Sequence, residues 1–359
     1  MVTTTIKKCI AIAIAMLATS SLFAYDFFAD GLFYNINSDG TTVTVYYGYE
    51  HSNLTGDLVI PESVNFNGNN YSVSAINNDA FGNCYNLTSV TIPTSVTTIG
   101  NSSFSGCTGL TSINIPNSVT NIGFSAFYNC CGLTTVTIPN SVTAIMNGTF
   151  GRCSGLTSVT IPNSVTSIGR SAFAYCSGLT SVSIGNSVNT IEHGAFYDCT
   201  QLASISFGDS VKIIDDYAFT NCHNLTSVTF PNSVTSIGTD AFANCSKLEI
   251  IVLGENTKML GNNAFGGDEK ITSITCKRYR PASTAADNIF ASCVYANATL
   301  NVPSGSLSLY YVAPVWMNFD NIIEEGAVQP VRGDLNGDGK VDIADVNEVI
   351  NLMLGKHQE

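Results

Sequence analysis

The chain has 359 residues, of which 45% are hydrophobic and only 11% are charged, and its formal net charge is −13. No lysine or arginine occurs between Tyr25 and Gly151, so this region lacks the cations that neutralise the phosphates of nucleic acids or anionic lipids. Composition therefore disfavours nucleic acid and anionic membrane surfaces as partners.

The N-terminal segment has the pattern of a secretory signal peptide. Lys7 and Lys8 supply a positive start, an apolar run from Ile10 to Leu17 follows, and Ala24 is a small residue suited to cleavage. The run is too short to span a membrane, and no other long apolar run follows in the sequence. We therefore predict residues 1–24 as a signal peptide and the mature protein as exported, without a membrane span.

Residues 25–75 are predicted to close the N-terminal end of the fold. Asp39-Gly40 lies between two alternating apolar segments, which is the pattern of a β-hairpin. The segment after the hairpin is similar to one unit of the repeat described next, with an insertion at residues 65–74. A closed end is expected because an open strand edge would pair with other chains.

Three residue types recur at every 23rd position through the predicted repeat region, 76–275. Such self-similarity is typical of a solenoid, in which each unit buries its apolar side against its neighbours. The phenylalanine column is Phe81, Phe104, Phe127, Phe150, Phe173, Phe196, Phe219, Phe242 and Phe265; the leucine column is Leu87, Leu110, Leu133, Leu156, Leu179, Leu202, Leu225 and Leu248; the cysteine column is Cys84, Cys107, Cys130, Cys153, Cys176, Cys199, Cys222 and Cys245.

Each unit divides into three short pieces. In one of them, residues 159–161 alternate between inward and outward positions and are followed by Pro162, which predicts a short strand. Residues 165–168 form a second extended piece, and residues 172–176 are too few for a full helix and predict a helical turn. Stacked units give a right-handed, strand-dominated solenoid with parallel sheet and short helical turns.

The repeated pattern Leu-x-x-Val-x-Ile-Pro-x-x-Val-x-x-Ile-Gly-x-x-Ala-Phe-x-x-Cys resembles the BspA-like (Treponema-type) leucine-rich repeats of bacterial surface proteins. The resemblance covers residues 58 to 275. It implies a secreted or surface-attached protein whose repeat face binds an extracellular protein or glycan, as adhesins of this family do, and it implies no catalysis. Residues 276–326 break the period and, as in similar terminal segments of the family, are expected to close the C-terminal end.

Residues 327–359 contain a predicted calcium loop. Carboxylate and amide side chains stand at positions one, three, five, nine and twelve of an EF-hand spacing, position seven can offer a backbone carbonyl, and Gly339 permits the turn at position six. The predicted Ca²⁺ ligands are Asp334, Asn336, Asp338, Lys340, Asp342 and Asp345.

This loop and the helix expected after it resemble one half of a type I dockerin, in which aspartate at position twelve is normal. The resemblance implies docking to a cohesin through Ile343 and Ala344, but a complete dockerin has two such loops and this sequence has one. A dockerin-tethered, non-catalytic component of a polysaccharide-degrading assembly is therefore the alternative function. An acidic, solvated tail is the alternative reading of the segment.

The cysteine column has two interpretations. Regular cysteines in an exported protein suggest disulfides, and neighbouring units would bring their Cα atoms within bonding range. Each cysteine, however, holds the position of a small buried residue beneath the turn, and its flanks match the unpaired thiols of the resembling family. We favour unpaired structural thiols.

Other polar positions offer weaker candidates. His193 shares a column with Arg170 and Asp216, beside Glu192 and Asp215, and could form a small polar patch or be ordinary surface variation. Catalytic serine motifs, histidine pairs with metal spacing and phosphate loops are absent from the sequence. Two surface columns could meet a partner or serve only solubility: the first is Thr91, Asn114, Thr137, Thr160, Ser183, Ser206 and Thr229, and the second is Thr97, Thr120, Thr143, Thr166, Asn189, Lys212 and Thr235.

Overall fold

The computed structural model describes residues 25–47, residues 54–325 and Ile343. They form a parallel-sheet solenoid of about 11 turns with a period of roughly 23 residues and very little helix. One turn of the solenoid is called a rung below. The fold class predicted from the three repeating columns is confirmed.

The first strand of each rung builds the main sheet, whose strand pairing is divided into three consecutive blocks of four, three and five strands. Val159 and Ile161 point into the core while Ser158 and Thr160 face outward, because successive side chains of a strand point to opposite sides. Val159 pairs in parallel with Val182, so the register repeats the sequence period. The strands are β4 (Thr55–Val59), β7 (Asn86–Thr91), β9 (Ser112–Asn114), β11 (Thr135–Val136), β13 (Ser158–Ile161), β15 (Ser181–Ile184), β17 (Ser204–Ser206), β19 (Ser227–Thr229), β21 (Ile250–Leu253), β23 (Ser273–Cys276), β25 (Thr299–Val302) and β26 (Asn321–Glu324).

The second extended piece of each rung builds a narrower second sheet. Ile168 is fully buried and pairs in parallel with Ile191, whereas the residue before each of them is half-buried. The strands are β6 (Asn69–Ile76), β8 (Thr98–Ile99), β10 (Asn121–Ile122), β12 (Ala144–Ile145), β14 (Ser167–Ile168), β16 (Thr190–Ile191), β18 (Ile213–Ile214), β20 (Ser236–Ile237), β22 (Met259–Leu260) and β24 (Ser283–Thr284).

The segment predicted as a helical turn takes the form of hydrogen-bonded turns rather than a helix. The Cys176 amide donates to the Phe173 carbonyl within the rung, at 3.3 Å, but the Phe173 amide donates to Ala195 of the next rung, at 2.8 Å. Ser171 and Tyr175 have φ of 52° and 61°, which a right-handed helix does not contain. The backbone amides of this segment therefore donate either within their own turn or to a carbonyl of the next rung.

These left-handed residues form two columns along the stack. Glycine, asparagine and aspartate tolerate positive φ best, and they hold five of the nine positions in the first column and seven of the nine in the second. The first column is Asp79, Ser102, Ser125, Gly148, Ser171, Gly194, Tyr217, Asp240 and Asn263, and the second, called the C-terminal turn column, is Asn83, Gly106, Asn129, Arg152, Tyr175, Asp198, Asn221, Asn244 and Gly267.

Phenylalanine rings stack along the centre of the core. From Phe81 to Phe265 the rings of adjacent rungs are stacked with centroids 5.0 to 5.6 Å apart. Phe290 extends the stack by one ring, 5.5 Å from Phe265, although it lies outside the period of the column. Because no rung could bury such a ring alone, the stack ties the stability of each rung to its neighbours.

The N-terminal end begins with β1 (Phe27–Ala29), β2 (Leu32–Ile36) and β3 (Thr42–Tyr46). The hairpin predicted around Asp39-Gly40 is present, since β2 and β3 pair antiparallel. The Asp39 carboxylate accepts the backbone amides of Thr41 and Thr42 in this turn, each at 2.8 Å. The predicted insertion forms a second hairpin from β5 (Ser63–Phe66) and β6, which then pairs with β3 and starts the second sheet.

Strand pairing continues through the boundary predicted at residue 275, because β23 pairs with β25 and β25 with β26. The remaining elements are the helices α1 (Ser292–Asn297) and α2 (Leu307–Tyr311) and a 3-10 turn, Trp316–Asn318. Trp316 is fully buried at this end, and its indole N–H donates to the Ala282 carbonyl at 2.9 Å. Tyr295, Trp316 and Phe319 form an aromatic cluster that contacts Phe290, the last ring of the phenylalanine stack.

Candidate functional site

The first surface column lies on the outer side of the main sheet. All seven of its side chains are exposed, because each alternates with two inward residues of its strand. Among the described residues, none of these side chains makes a hydrogen bond with another protein group. The column therefore presents a row of unoccupied donors and acceptors at the spacing of the rungs.

The second surface column differs in this respect. Its members are exposed or half-buried on the second sheet, but most of its hydroxyl groups are already engaged. Four of its threonines donate to the backbone carbonyl of the preceding rung, namely Thr97 to Ser74, Thr120 to Thr97, Thr166 to Thr143 and Thr235 to Lys212. These side chains stabilise the stack and have less capacity to bind a partner.

A groove of about 700 Å³ runs along the main sheet over four rungs. It is lined by Thr137, Thr160, Ser183 and Ser206 of the first surface column, by asparagines of the following turns and by Ile161. The volume lies within the usual range for ligand sites. The groove is open to solvent along the stack, so its shape suits a chain or an extended surface more than a small enclosed molecule.

Within the part of the chain that the structure describes, no charged side chain lines this groove. Hydroxyl and amide groups alternate along it with apolar patches, which include the half-buried ring of Phe207. A partner would therefore be held by hydrogen bonds and apolar contact rather than by ion pairs. This combination is typical of sites in which a few polar groups orient a ligand over an apolar floor.

The residues of the polar patch predicted around His193 lie close in the fold, and two of them are engaged there. Backbone hydrogen bonds place Arg170, His193 and Asp216 on successive rungs. The Asp216 carboxylate accepts the Thr239 amide at 2.6 Å, and the His193 ring contacts the Tyr217 ring with centroids 5.2 Å apart. Asp216 and His193 thus support the local fold. Across residues 25–47 and 54–325, no group of three His, Cys, Asp or Glu side chains could hold a metal ion.

Comparison with known proteins assigns the repeat. Residues 74–203 and 189–310 match the family model for the BspA-type leucine-rich repeat region, in six copies. The chain belongs to the BspA-type leucine-rich repeat family. No curated protein matches it significantly.

Solved structures of bacterial leucine-rich-repeat proteins are similar to this BspA-type chain. A leucine-rich-repeat protein from Bacteroides ovatus ATCC 8483 aligns with TM-score 0.57 and 22% identity over 87% of this chain and 93% of that one, which supports the fold. A leucine-rich cell surface protein from Faecalibacterium prausnitzii A2-165 has TM-score 0.49 and 28% identity over 89% and 98% of the two chains. The Treponema pallidum leucine-rich-repeat protein has TM-score 0.48 and 29% identity over 55% and 90%.

Among the described residues, the cysteines of this BspA-type chain's column form no disulfide. From Cys107 to Cys245, each Sγ lies 3.1 to 3.6 Å from the carbonyl of the phenylalanine 26 residues earlier and donates to it. Burial raises the pKa of Cys153 and Cys176 well above the usual value, so these thiols stay neutral. From Cys107 to Cys245 the column is structural, as the unpaired-thiol interpretation predicts.

The predicted calcium loop lies outside the described residues, apart from Ile343, whose side chain is 76% exposed. The predicted signal peptide also lies outside them. In the described part of the chain, no helix is both long and apolar enough to cross a membrane.

The sequence alone did not distinguish the surface column with free hydroxyl groups from the column whose hydroxyl groups are hydrogen-bonded to the backbone. Both surface columns are rich in threonine, and only the path of the preceding backbone decides whether a carbonyl lies within reach. The apolar floor of the groove was also missed, although Phe207 stands where the preceding rungs carry isoleucine, and Phe230 follows it one period later. This departure from the column was the available signal.

Proposed function

We propose that this protein is a secreted or surface-displayed bacterial binding protein without catalytic activity. The main-sheet groove holds an extracellular protein or glycan, in an adhesin-like role. The observation that carries the proposal is the row of unoccupied hydroxyl groups along an open, uncharged groove. Family membership and the predicted signal peptide support the extracellular location.

A pair of double variants tests the groove in the full chain. T137R/S183R places two long cationic side chains in the groove, whereas T143R/N189R places them at the second surface column of the same two rungs. Binding is measured to immobilised extracellular-matrix proteins, surface glycans and bacterial cells. The groove variant should lose at least tenfold in affinity and the control variant should keep it. Equal binding by both variants would place the binding surface elsewhere.

We further propose that the C-terminal loop binds Ca²⁺ through Asp334, Asn336, Asp338, Lys340, Asp342 and Asp345. Its ligand spacing also supports a second function, in which the half-dockerin tethers the chain to a cohesin of a polysaccharide-degrading assembly. Aspartate and asparagine oxygens are the hard ligands that Ca²⁺ prefers.

Calcium titration of the full chain and of D334A/D338A separates these proposals, with D287A/D320A as a control for lost charge. The first double variant should lose Ca²⁺ binding and the control should retain it. Capture by an immobilised type I cohesin should require Ca²⁺ if the tethering function is correct. Ca²⁺ binding without cohesin capture would reject the assembly and leave the loop itself intact.

A further inference from the structure

A second cleft lies among the turn segments, on residues that the main-sheet groove does not use. It has a volume of about 560 Å³ and spans three consecutive rungs. Gly148, Gly151 and Ala174 are small residues at its floor, while Phe124 and Tyr175 belong to its aromatic lining. The small side chains of the middle rung leave the space that the larger residues of the neighbouring rungs enclose.

Arg170 lines this cleft, and Arg152 packs against two of its lining rings. The Arg152 guanidinium lies 5.1 Å from the ring centroid of Tyr175 and 6.0 Å from that of Tyr128. Phe124 and Tyr175 are 46% and 43% exposed, respectively. A guanidinium held over ring faces is oriented in advance and keeps its N–H edge free to bind an anion.

Two of these residues occupy strained backbone positions. Arg152 and Tyr175 both have φ of 61° on successive rungs of the C-terminal turn column, where the other rungs carry asparagine, aspartate or glycine. Left-handed backbone disfavours side chains of this kind, which gain nothing there from a local hydrogen bond. Strained residues persist where the surrounding structure or a function requires them.

The cleft carries positive charge, although the chain as a whole is acidic. Arg152 and Arg170 are the first cations after Tyr25 in a chain of net charge −13. Neither makes an ion pair within the described residues. Asp198, on the rung after Tyr175, limits the cationic region on that side. An anionic group would meet the Arg170 guanidinium in the cleft and the Arg152 guanidinium beside its aromatic lining.

The backbone around the cleft offers little to a peptide. The amides of Gly148 and Arg152 donate to the Arg170 and Ala174 carbonyls of the next rung, at 2.8 and 2.7 Å. These amides are therefore not available to pair with an added strand. Side chains remain: Asn147 accepts the Arg170 amide with its Oδ1, at 3.0 Å, and keeps its amide N–H groups free.

We propose that this cleft binds a carboxylated sugar residue of an acidic glycan. The guanidinium groups of Arg152 and Arg170 bind the carboxylate, with the charge-assisted hydrogen bonds that arginine forms to this group. The exposed rings contact the C–H face of the sugar, and Asn147 donates to a hydroxyl. The proposal stands independently of the main-sheet groove.

The test uses the full chain and the double variant R152N/Y175N, with an oligogalacturonate and its methyl ester as probes. Asparagine stands in the same column at Asn129, Asn221 and Asn244, so the variant relieves backbone strain and should raise Tm. The wild type should bind the acid at least tenfold more tightly than the ester, and its affinity for the acid should fall at high salt. The variant should lose this preference while becoming more stable.

The groove variant T137V/S183A, which removes two groove hydroxyl groups without adding charge, serves as the control and should bind the oligogalacturonate like the wild type. Equal affinity for the acid and the ester, or unchanged binding by R152N/Y175N, would overturn the proposal. Equally tight competition by a poly-glutamate peptide would also overturn it, since the cleft would then recognise charge without the sugar. Loss of groove binding alone, with acid binding intact, would reject only the function proposed for the main sheet.

Discussion

A buried carboxyl group interrupts the cysteine column near its C-terminal end. Asp268 stands one period after Cys245, where the next thiol would lie, and its side chain is fully buried. Neither carboxyl oxygen has a hydrogen-bond partner among the described residues. Burial raises the pKa of Asp268 from 3.8 to about 8, so the group is protonated in the folded protein at neutral pH.

This shift predicts a stability that falls with rising pH. Between pH 4 and 8 the unfolded chain releases the Asp268 proton and the folded chain keeps it, so the free energy of unfolding decreases. The limiting slope for one such group is about 1.4 kcal/mol per pH unit. Asp268→Asn should remove this component, because the amide is neutral throughout.

Denaturant unfolding at pH 5 and pH 8 measures the effect. The stability gain of Asp268→Asn over the wild type should be larger at pH 8 than at pH 5. Asp209→Asn, which removes an exposed carboxylate, controls for the loss of one charge. A gain for Asp268→Asn that does not depend on pH would show that the buried carboxyl group is not responsible.

At the scale of elements, the phenylalanine stack couples the rungs. Phe173 is fully buried and stacks on Phe150 and Phe196, with centroids 5.3 and 5.2 Å away. Phe173→Ala should lower the free energy of unfolding by about 3–5 kcal/mol, since it removes apolar burial and leaves a cavity between two rungs. Thermal or denaturant unfolding measures the loss.

Phe124→Ala is the matched control, because the same side chain is removed from a 46% exposed position. Its stability should change by less than about 1 kcal/mol. A similar loss for both variants would mean that the central stack adds nothing beyond general apolar contact. A second, separate unfolding transition in Phe173→Ala would indicate that the stack divides into two blocks at the missing ring.

The repeating columns made most of the fold predictable from the sequence. Inward residues such as Val159 and Ile168 follow from the side-chain period of a strand, and the parallel register follows from the spacing of identical units. The turn was harder to predict. Its conformation depends on positive φ at Ser171 and Tyr175, and neither residue type signals that backbone.

The candidate sites were less predictable because they depend on departures from the columns. Arg152 and Tyr175 look like ordinary surface variation until the backbone places the guanidinium over the Tyr175 ring, which lines the cleft. The stack also extends to Phe290, which a fixed period counted from Phe265 does not reach. Contacts between rungs, rather than the content of one rung, determine these features.

At the scale of the whole molecule, the two ends of the solenoid differ. The β1–β2–β3 unit extends the second sheet at one end, and the aromatic cluster around Trp316 covers the phenylalanine stack at the other, where β26 is the edge strand of the main sheet. Deleting residues 290–359 would make β23 the edge strand and remove the cover of the Phe265 ring. We expect that variant to oligomerise or aggregate, because an exposed apolar end and an unprotected strand edge join other chains.

Light scattering during size-exclusion chromatography measures this outcome. A control lacking only residues 326–359 keeps every described strand and should elute with the mass of the full chain's own oligomeric state. Unchanged mass for the longer deletion would mean that the main sheet does not need its C-terminal cover.

The scaffold carries two candidate binding surfaces with different chemistry. The main-sheet groove is uncharged, whereas Arg170 lines the turn cleft and Arg152 contacts two of the cleft's rings. A rigid stack keeps such surfaces apart, so each can be altered by substitutions that leave the other unchanged. The central claim is that the main-sheet groove makes the contact with the extracellular partner.

Site-specific photo-crosslinking tests that contact most directly. A benzophenone amino acid replaces Ser183 in the groove or, as the control on the same rung, Asn189 in the second surface column. Each full-length protein is irradiated while bound to its extracellular target. We predict covalent adducts from position 183 and none from position 189. Adducts from position 189, with none from 183, would contradict the claim.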